Sequence, residues 1–415
     1  MIRPDLFSAT AVRFGKPLGR AGHRSVTRCS DHGQVQPLTT LDLIYFNAGG
    51  GHRAAATALQ AVIVQQQRPW QLRCINLVDL LDPQARFRRL TGIAPEDLYN
   101  LRLARGWTLG LAQELKLLQA MIALGHATLV RRLQRHWSRS APDLVVSLIP
   151  NFNRAMFSAL AAARPGAPFV TLLTDLADHP PNFWIEPGQA QHFICGSAKA
   201  EAQALALGHD ASRVHRSSGM VIRPDFYQPL ALDRRADRVR LGLDPDRPTG
   251  VVMFGGQGSM AMLAIARDLA DVQLVLMCGH HRELARRLRA LRPTAAHLVV
   301  EFTPEVRRHL ALGDFLIGKP GPGSLSEAVQ QGLPVLTVRN TWTMPQERYN
   351  TDWVQHNGLG LVVRSMRKLR PAVLEMLRRL DEFKQRVAQI ENRAVFEVPD
   401  ILAGILDRRA DAAAV

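Results

Sequence analysis

Short runs of apolar residues alternate along the chain with stretches in which apolar residues recur at helical spacing. The apolar runs of the first half are LDLIYF (41–46), QLRCINLVD (71–79), DLVVSLI (143–149), PFVTLL (168–173) and QHFIC (191–195). Those of the second half are TGVVMFG (249–255), VQLVLMC (272–278), HLVVEF (297–302), DFLIG (314–318), PVLTV (334–338) and LGLVV (359–363). Strands of near-continuous Val, Ile and Leu that alternate with helices are typical of parallel sheets covered on both faces. The pattern therefore predicts an α/β protein, with helices that include 52–67, 281–292 and 326–332.

This alternation occurs twice and is interrupted once, at 219–248, where Pro, Arg and Asp are frequent and no strand pattern is found. The segments that we predict are a flexible N-terminal extension (1–38), a first α/β domain (39–218), a linker (219–248), a second α/β domain (249–365) and C-terminal helices (366–415). In the last segment we expect one charged helix over 366–393 and a short tail. Open parallel sheets bind ligands beyond the carboxyl ends of their strands, so two such domains predict a binding cleft between them.

Composition adds a strong positive charge to this picture. The chain has 415 residues, of which 47% are hydrophobic and 21% charged, and 52 basic against 36 acidic side chains give a formal net charge of +16. The excess predicts an anionic partner, which could be a nucleic acid, an acidic membrane surface or a phosphorylated substrate. The cysteines form no C-x-x-C pair, which argues against a zinc site or a disulfide framework and fits a reducing cytosol; they are Cys29, Cys74, Cys195 and Cys278.

The N-terminal segment and the lack of long apolar runs bear on location. No apolar run approaches the roughly 18 to 20 residues that a membrane-spanning helix needs. Residues 1–38 contain Arg, Ser and Thr but few acidic residues, a composition seen in transit peptides, and they lack the apolar core of a secretory signal. We interpret them as a flexible extension or an overlong start, with a targeting segment as the lesser alternative, and predict a protein of the cytoplasm.

Three glycine-rich turns each follow a predicted strand directly. They are NAGGGHRAAA (47–56) with Gly50, Gly51 and His52, FGGQGS (254–259) with Gly255, Gly256 and Ser259, and GKPGPGSLSEAV (318–329) with Gly323, Ser324 and Glu327. Free N–H groups, hydroxyls and the positive end of a helix dipole favour an anion such as phosphate. Neither a dinucleotide fingerprint nor a Walker A loop is present. Each turn alone could also be an ordinary strand-to-helix connection, with Glu327 exposed to solvent.

Two polar loops also follow predicted strands. MPQERYN (344–350) places the amide of Gln346 beside the carboxylate of Glu347, a donor and acceptor pair that suits sugar hydroxyls. TDLADHPPNFW (174–184) carries Asp175, His179 and Trp184, and carboxylates with aromatics suit a carbohydrate or a lipid headgroup. The alternatives are a plain polar loop for the first and a buried core tryptophan for the second.

In this order along the chain, the motifs resemble the family of nucleotide-sugar glycosyltransferases that contains monogalactosyldiacylglycerol synthases and processive diacylglycerol glucosyltransferases. A more distant resemblance is to the lipid II-forming N-acetylglucosaminyltransferase of peptidoglycan synthesis. The resemblance extends over about 41–393, and its most specific part is 313–350. It implies the GT-B fold: two Rossmann-like domains with parallel sheets that face each other across a cleft. It also implies transfer of galactose or glucose from a UDP-sugar to diacylglycerol or a related lipid, with inversion and without a metal or other cofactor.

The resemblance further implies roles for individual residues. His52 is the first candidate for the catalytic base and Asp175 the second. The residues implied for the UDP-sugar are Gly255, Gly256 and Ser259 at the diphosphate, Gly323 and Ser324 at phosphate, Glu327 at the ribose, Phe302 and Val306 at the uracil, and Gln346 and Glu347 at the hexose. The acceptor side is assigned to Gly50, Gly51, His179 and Trp184. Three departures from the family pattern, at Gln257, Pro320 and Asp178, leave the sugar and the acceptor open.

A lipid acceptor requires contact with a membrane, and segment 86–139 combines many arginines with leucines and aromatics. Such a stretch can lie on an anionic leaflet, which would make the protein peripheral on the cytoplasmic face of the membrane. The alternative is a pair of helices packed on the first domain with solvated arginines.

Three other functions stay open on the sequence. A UDP-sugar 2-epimerase uses the same two-domain architecture and would not need segment 86–139. A glycosyltransferase with a non-glycerolipid acceptor, such as a lipid II precursor, would share the donor site. A nucleic-acid binder ranks last, because no RNP, KH, helix-turn-helix or zinc signature accompanies the charge, and we predict no nucleic-acid partner.

Overall fold

The computed structural model describes residues 38–47, 50–85, 88–89, 92 and 111–414, with side chains in 38–47, 50–85, 88–89, 92 and 115–411. The predicted extension, apart from Leu38, and much of 86–110 lie outside the described residues. From Thr39 onward the chain forms one compact unit.

The first sheet lies near the N-terminal half and is entirely parallel. Its six strands are β1 (Thr39–Tyr45), β2 (Trp70–Asn76), β3 (Leu144–Ser147), β4 (Phe169–Leu172), β5 (His192–Cys195) and β6 (Val214–Arg216), in the order β2-β1-β3-β4-β5-β6. The helices in the same part of the chain are α1 (Gly51–Gln65), α2 (Leu77–Leu81), α3 (Leu111–Leu124), α4 (His126–Ser140), α5 (Asn153–Ala163) and α6 (Ala198–Ala206). The sequence missed β6, because VHR contains no apolar run.

The second sheet has the same architecture. Its six parallel strands are β7 (Thr249–Met253), β8 (Gln273–Met277), β9 (His297–Val300), β10 (Phe315–Gly318), β11 (Val335–Val338) and β12 (Gly360–Val363), in the order β12-β11-β10-β7-β8-β9. The helices of this half are α7 (Arg234–Arg240), α8 (Ala261–Asp268), α9 (Arg282–Arg289), α10 (Val306–Leu310), α11 (Pro322–Gln330) and α12 (Arg348–His356), followed by α13 (Leu369–Arg378), α14 (Leu380–Val387) and α15 (Ala394–Ala414).

Both faces of each sheet are covered, which explains the continuous apolar runs. Val251 packs into the hydrophobic cluster on one face of the second sheet and its neighbour Val252 into the cluster on the other. In β1, Leu43 and Ile44 divide in the same way. Successive side chains of a strand point to opposite faces, so a strand buried on both faces needs apolar residues at every position. The predicted α/β class with two parallel sheets is confirmed.

The C-terminal segment differs from the prediction. Residues 366–393 do not form one helix: a 3₁₀ turn at Met366–Lys368 leads into α13 and α14, and the expected tail is the long helix α15. This last helix returns to the first sheet, where Val398, Leu402 and Ile405 are buried in the same cluster as Leu43 and Leu59. Burial of this apolar stripe explains why a helix forms where a short tail was predicted.

Side chains fix the point at which the chain returns. Asn392 donates from Nδ2 to the carbonyl of Met220 at 2.9 Å, and its Oδ1 accepts from the backbone N–H of Ala394 at 3.1 Å. Ser218 accepts from the N–H of Arg393 at 2.6 Å. The two connections between the sheets are therefore tied to each other.

Candidate active site between the two sheets

The candidate residues lie in segments that follow the carboxyl ends of parallel strands. His52 begins α1 after β1, and Asp175 follows β4. In the second sheet the turn at 254–259 follows β7, the turn at 319–323 follows β10, and Pro345–Glu347 follows β11. Carboxyl ends of parallel strands share one edge of a sheet, which collects these segments around one site.

His52 is the second residue of α1 and is half-buried. Gly50 precedes the helix with φ 83°, a left-handed conformation that glycine adopts at little cost, and the space around the Cα atoms of Gly50 and Gly51 is open. His52 Nδ1 lies 3.0 Å from Thr174 Oγ1. Burial lowers the pKa of His52 to about 4, and the carbonyl of Leu148 opposes this shift. The imidazole is therefore neutral at pH 7 and can accept a proton.

Asp175 is a buried carboxyl that faces the second sheet. Trp184 Nε1 donates to Asp175 Oδ2 at 3.0 Å. Burial raises the pKa of Asp175 to about 7; the Trp184 hydrogen bond and Lys319 lower it, while Glu347 and Asp178 raise it further. Lys319 and Glu347 lie in loops that follow strands of the second sheet, so charges from the second half of the chain act on Asp175.

The loop after Asp175 is organised by Asp178. Its carboxylate accepts hydrogen bonds from the backbone N–H groups of Asn182 and Phe183, both at 2.9 Å, and of Trp184 at 2.6 Å. His179 is partly exposed and precedes a cis proline. Trp184, which the resemblance assigned to the acceptor side, is completely buried, so its side chain offers no surface for direct contact with an acceptor. The alternative interpretation, a core tryptophan, therefore holds. Trp184 acts on the site through its hydrogen bond to Asp175 and through the ring of His52, whose centroid lies 6.0 Å from that of Trp184.

Lys319 and Glu347 form the second-sheet side of the site. Lys319 Nζ lies 2.8 Å from Glu347 Oε1, and the Glu347 side chain is only 7% exposed. Asn350 donates from Nδ2 to the carbonyl of Pro320 at 2.8 Å, which joins the 344–350 loop to the glycine turn. Sequence reasoning did not assign Lys319 a role, although a lysine directly after a strand and before a glycine turn was a visible signal. Gln346 lies beside Glu347, with Nε2 3.6 Å from Met344 Sδ.

The start of α11 offers free backbone donors. Gly321 is the N-cap and Pro322, which has no N–H, occupies the first turn. The N–H groups of Gly323 and Ser324 fall within this turn, where no intrahelical acceptor is available. Both residues therefore lie at a helix start, and their contact with phosphate stays a prediction.

Glu327 lies one turn further along α11 and is largely buried, whereas the alternative interpretation of this turn had it exposed to solvent. Its side chain is 20% exposed and lies 3.8 Å from Arg223, measured from Oε1 to Nε. Burial raises the pKa of Glu327 to about 7, against the lowering effect of Arg223. The sequence placed Arg223 in the linker and gave it no role. Its Nη2 is buried and has no hydrogen-bond partner among the described residues.

The turn after β7 depends on close backbone approach. A Cβ on Gly258 would lie 2.4 Å from the carbonyl oxygen of Cys278, and one on Gly279 would lie 2.2 Å from that of Gly256. Gly255 has φ 77°, and Ser259 Oγ accepts from the N–H of Ala261 at 3.3 Å. The glycines let two strand-end turns pack directly on each other.

An aromatic pair borders this turn. Phe302 is 57% exposed, and its ring stacks on His280 with centroids 3.9 Å apart and an interplanar angle of 15°. Val306 begins α10 close behind it in the chain. His280, like Lys319 and Arg223, is a residue to which the sequence analysis gave no role.

No family model matches the chain. The monogalactosyldiacylglycerol synthase 1 of Arabidopsis thaliana is 25% identical over 352 residues, which are 80% of this chain and 64% of that protein. The probable monogalactosyldiacylglycerol synthase 2 of rice, Oryza sativa subsp. japonica, is 30% identical over 243 residues, 55% of this chain and 50% of that protein.

The chain is similar to monogalactosyldiacylglycerol synthases. The resemblance that the motifs predicted is confirmed, and the chain spans about half to two thirds of the length of these relatives, from 50% to 64% in the two named.

Solved structures show the fold. MurG of Acinetobacter baumannii matches with a TM-score of 0.55 and 13% identity over 89% of this chain and 100% of MurG. The UDP-GlcNAc 2-epimerase of Neisseria meningitidis, bound to UDP-GlcNAc, matches with a TM-score of 0.54 and 14% identity over 89% of this chain and 100% of the epimerase. The fold is GT-B, as predicted.

The predicted location is corrected by the same comparison. The relatives are chloroplastic enzymes, which conflicts with a cytoplasmic protein, so that prediction is wrong. Its basis was too coarse, because cysteine spacing that fits a reducing environment does not distinguish one reducing compartment from another. In the described part of the chain, no helix has both the length and the apolar character for a membrane crossing.

Proposed function

We propose that the protein transfers a hexose, galactose or glucose, from a UDP-sugar to diacylglycerol or a related membrane lipid, with inversion at the anomeric carbon. The observation that carries the proposal is the arrangement of Asp175 opposite the Lys319–Glu347 pair, beside two glycine turns at helix starts. Similarity to monogalactosyldiacylglycerol synthases supports the reaction class and the lipid acceptor.

The donor would bind along the second sheet. The turn with Gly255, Gly256 and Ser259 and the start of α11 with Gly323 and Ser324 supply donors for a pyrophosphate. Arg223 adds a cation whose Nη2 has no hydrogen-bond partner within the described part of the chain, and Glu327 beside it suits a ribose diol. The stacked Phe302 and His280, with Val306, suit a uracil ring.

The hexose would lie next to the Lys319–Glu347 pair. Lys319 forms a salt bridge with one carboxylate oxygen of Glu347 and thereby holds the carboxylate in place. Gln346 supplies an amide in the same turn. We therefore propose that Gln346 and Glu347 bind hexose hydroxyls and that Lys319 orients Glu347.

In the chemical step the acceptor hydroxyl oxygen bonds to the anomeric carbon, and the bond from that carbon to the phosphate oxygen breaks. The electron pair leaves with UDP, where helix-start N–H groups stabilise the charge, and the hydroxyl proton passes to a base. Asp175, with a pKa of about 7, is the stronger base, and His52, with a pKa of about 4, is the weaker one. We propose Asp175 as the base, with His52 beside the acceptor hydroxyl, and Gly50, Gly51 and His179 along the acceptor path.

We propose that the reaction needs no metal or other cofactor, because helix starts and Arg223 supply the positive charge. Among the described residues, no three His, Cys, Asp or Glu side chains are grouped as metal ligands. Transfer that is unchanged by EDTA is the expected result. Loss of transfer with EDTA, restored by a divalent cation, would contradict this.

Helices α3 and α4 supply a surface for the membrane. In the part of α3 whose side chains the structure describes, the exposed large apolar residues are Leu117, Leu118, Met121 and Leu124. The exposed arginines of α4 are Arg131, Arg132, Arg135 and Arg139. Each basic residue near an anionic leaflet contributes about 1 kcal/mol, so a few suffice for reversible binding. Helix α4 also packs on the first sheet, as the alternative interpretation predicted, through the buried Leu133 and Trp137. The rest of the predicted membrane segment, within 86–110, largely lies outside the described residues.

The test is transfer of label from UDP-galactose and UDP-glucose to diacylglycerol in anionic vesicles. Label in the organic phase is the expected result, lost in His52→Ala and Asp175→Asn while both variants still bind UDP. Label that stays water-soluble as an epimerised nucleotide sugar would instead support a UDP-sugar 2-epimerase, the activity of one protein of this fold. Transfer only to a non-glycerolipid acceptor would keep the donor site and reject diacylglycerol.

A further inference from the structure

Helix α3 has two different faces. Leu117, Leu118, Met121 and Leu124 point to solvent, whereas Leu115 packs on the cluster that contains Phe183 and Trp184. Gln119 lies one helical turn after Leu115, on the same inward face. It is thus a polar side chain placed against the loops of the active site.

A line of hydrogen bonds leads from Gln119 to Asp175. Gln119 Nε2 donates to Asn151 Oδ1 at 3.0 Å. The backbone N–H of Asn151 donates to the carbonyl of Phe183 at 2.8 Å. The next residue of that loop, Trp184, donates from Nε1 to Asp175 Oδ2 at 3.0 Å. The outer helix and the buried carboxyl are therefore joined through two loops.

The intervening parts have little freedom to absorb a displacement. Asn153 Nδ2 donates to the carbonyl of Trp184 at 3.0 Å, and the Asp178 carboxylate holds three N–H groups of the same loop. The Trp184 side chain has no exposed surface. Asn151 has φ 67°, a left-handed conformation that asparagine tolerates better than most residues. Close packing of this kind transmits a shift of one member to its neighbours.

We propose that Gln119 is a positioning residue, which acts through Asn151 and Trp184 to set the Asp175 carboxyl, so that the seating of α3 on lipid controls the orientation of the base. This proposal rests on the proposed function, in which α3 meets the membrane and Asp175 receives the proton. The charged groups that face Asp175 are Asp178 in its own loop and Lys319 and Glu347 from the second sheet.

The test compares Gln119→Ala, Asn151→Gly and the double variant on diacylglycerol in anionic vesicles. Glycine removes the Asn151 side chain and still accepts the left-handed backbone. We expect kcat to fall about three- to tenfold in each single variant, as for loss of one hydrogen bond, with KM for the UDP-sugar and pelleting with vesicles unchanged. The kcat of the double variant should be no lower than that of either single variant, because all three variants break the same Gln119–Asn151 hydrogen bond. Gln355→Ala, an exposed glutamine of α12, is the matched control and should keep wild-type kcat.

A second readout does not depend on activity. Trp184 reports on Asp175 through its hydrogen bond, so its fluorescence, isolated by subtracting the Trp184→Phe signal, should titrate near neutral pH. A weakened Trp184 bond raises the pKa of Asp175, and the midpoint in Gln119→Ala should move to higher pH. Wild-type kcat and an unmoved midpoint in a folded Gln119→Ala protein would overturn the proposal. Absence of transfer in the wild type would reject the proposed function instead, and the titration would still decide whether Gln119 positions Asp175.

Discussion

Two carboxyl groups in the cleft, Asp175 and Glu327, share one electrostatic property at the residue scale. Burial raises the pKa of each to about 7, although each has a cation nearby, Lys319 for Asp175 and Arg223 for Glu327. Removal of a carboxylate from water disfavours its charged form, and these cations compensate for it only in part. Such groups exchange protons near neutral pH and are candidates for chemistry or for ligand binding.

The first prediction concerns Asp175→Asn. The folded protein holds the Asp175 proton with a pKa of about 7, against an ordinary value of 3.8, so this group's contribution to stability is present below pH 4 and is lost as pH rises to 7. Asparagine does not ionise and can still accept the Trp184 hydrogen bond. We expect Tm of the variant to exceed that of the wild type by a few degrees at pH 8 and to match it near pH 4. Scanning calorimetry at the two pH values checks this.

The same substitution should remove the base. A general base contributes about 10²- to 10⁴-fold in rate, so kcat should fall within that range while affinity for UDP stays the same. Near-normal kcat in a folded Asp175→Asn protein would exclude Asp175 and leave His52 as the base.

The second prediction concerns Glu327→Ala. A hydrogen bond to a charged group contributes about 1.5–3 kcal/mol, so affinity for UDP should fall about ten- to a hundredfold without loss of the fold. Isothermal titration calorimetry measures the change. Glu382→Ala, on α14, is the control and should bind like the wild type. Equal affinity for UDP in the two variants would show that Glu327 does not bind the nucleotide.

At the scale of elements, α3 is unusual because it exposes a row of large apolar side chains. Leu117 is 60% and Leu124 89% exposed, next to the exposed arginines of α4. An apolar row beside a basic one is complementary to an anionic bilayer surface, where the arginines meet headgroups and the leucines meet the acyl boundary.

The third prediction follows from this surface. Leu117→Ser with Leu124→Ser should reduce pelleting with anionic vesicles and leave Tm within about 1 °C, because exposed side chains contribute little to stability. Leu374→Ser is the matched control, since Leu374 is 53% exposed on α13, away from α3. If both variants pellet like the wild type, α3 is not the membrane contact.

At the scale of the whole molecule, the chain path ties the two sheets together. The chain leaves the first sheet after β6, builds the second, and returns through α15 to the core of the first. Asn392 and Ser218 join the two connections by hydrogen bonds. The first sheet therefore completes its core only when the last residues of the chain are in place.

The fourth prediction tests this dependence with Leu402→Ala. The fully buried Leu402 packs against the first sheet, and a leucine-to-alanine change in a core costs about 2–5 kcal/mol. We expect a lower denaturation midpoint than for Leu374→Ala, which removes an exposed leucine. Equal midpoints would show that α15 contributes little to the first sheet.

The predictable part of the fold follows from local pattern. A strand buried on both faces must be apolar at every position, so the apolar runs 249–255 and 272–278 predicted β7 and β8. Glycines after strands predicted the turns. β6 has three residues without an apolar run and was missed. Helix α15 was predicted as a short tail, because the residues on which it packs belong to the first sheet, far away in the sequence.

For the site, the sequence by itself determined which residues follow strand ends, because the carboxyl edge of a parallel sheet is set by chain direction alone. It therefore placed His52, Asp175, Glu327 and Glu347 at the cleft. Only the tertiary structure decided that Trp184 is buried against Asp175, that Lys319 holds Glu347 and that Arg223 reaches Glu327. Burial and the pKa shifts that follow from it depend on contacts between residues far apart in the chain, which local spacing does not encode.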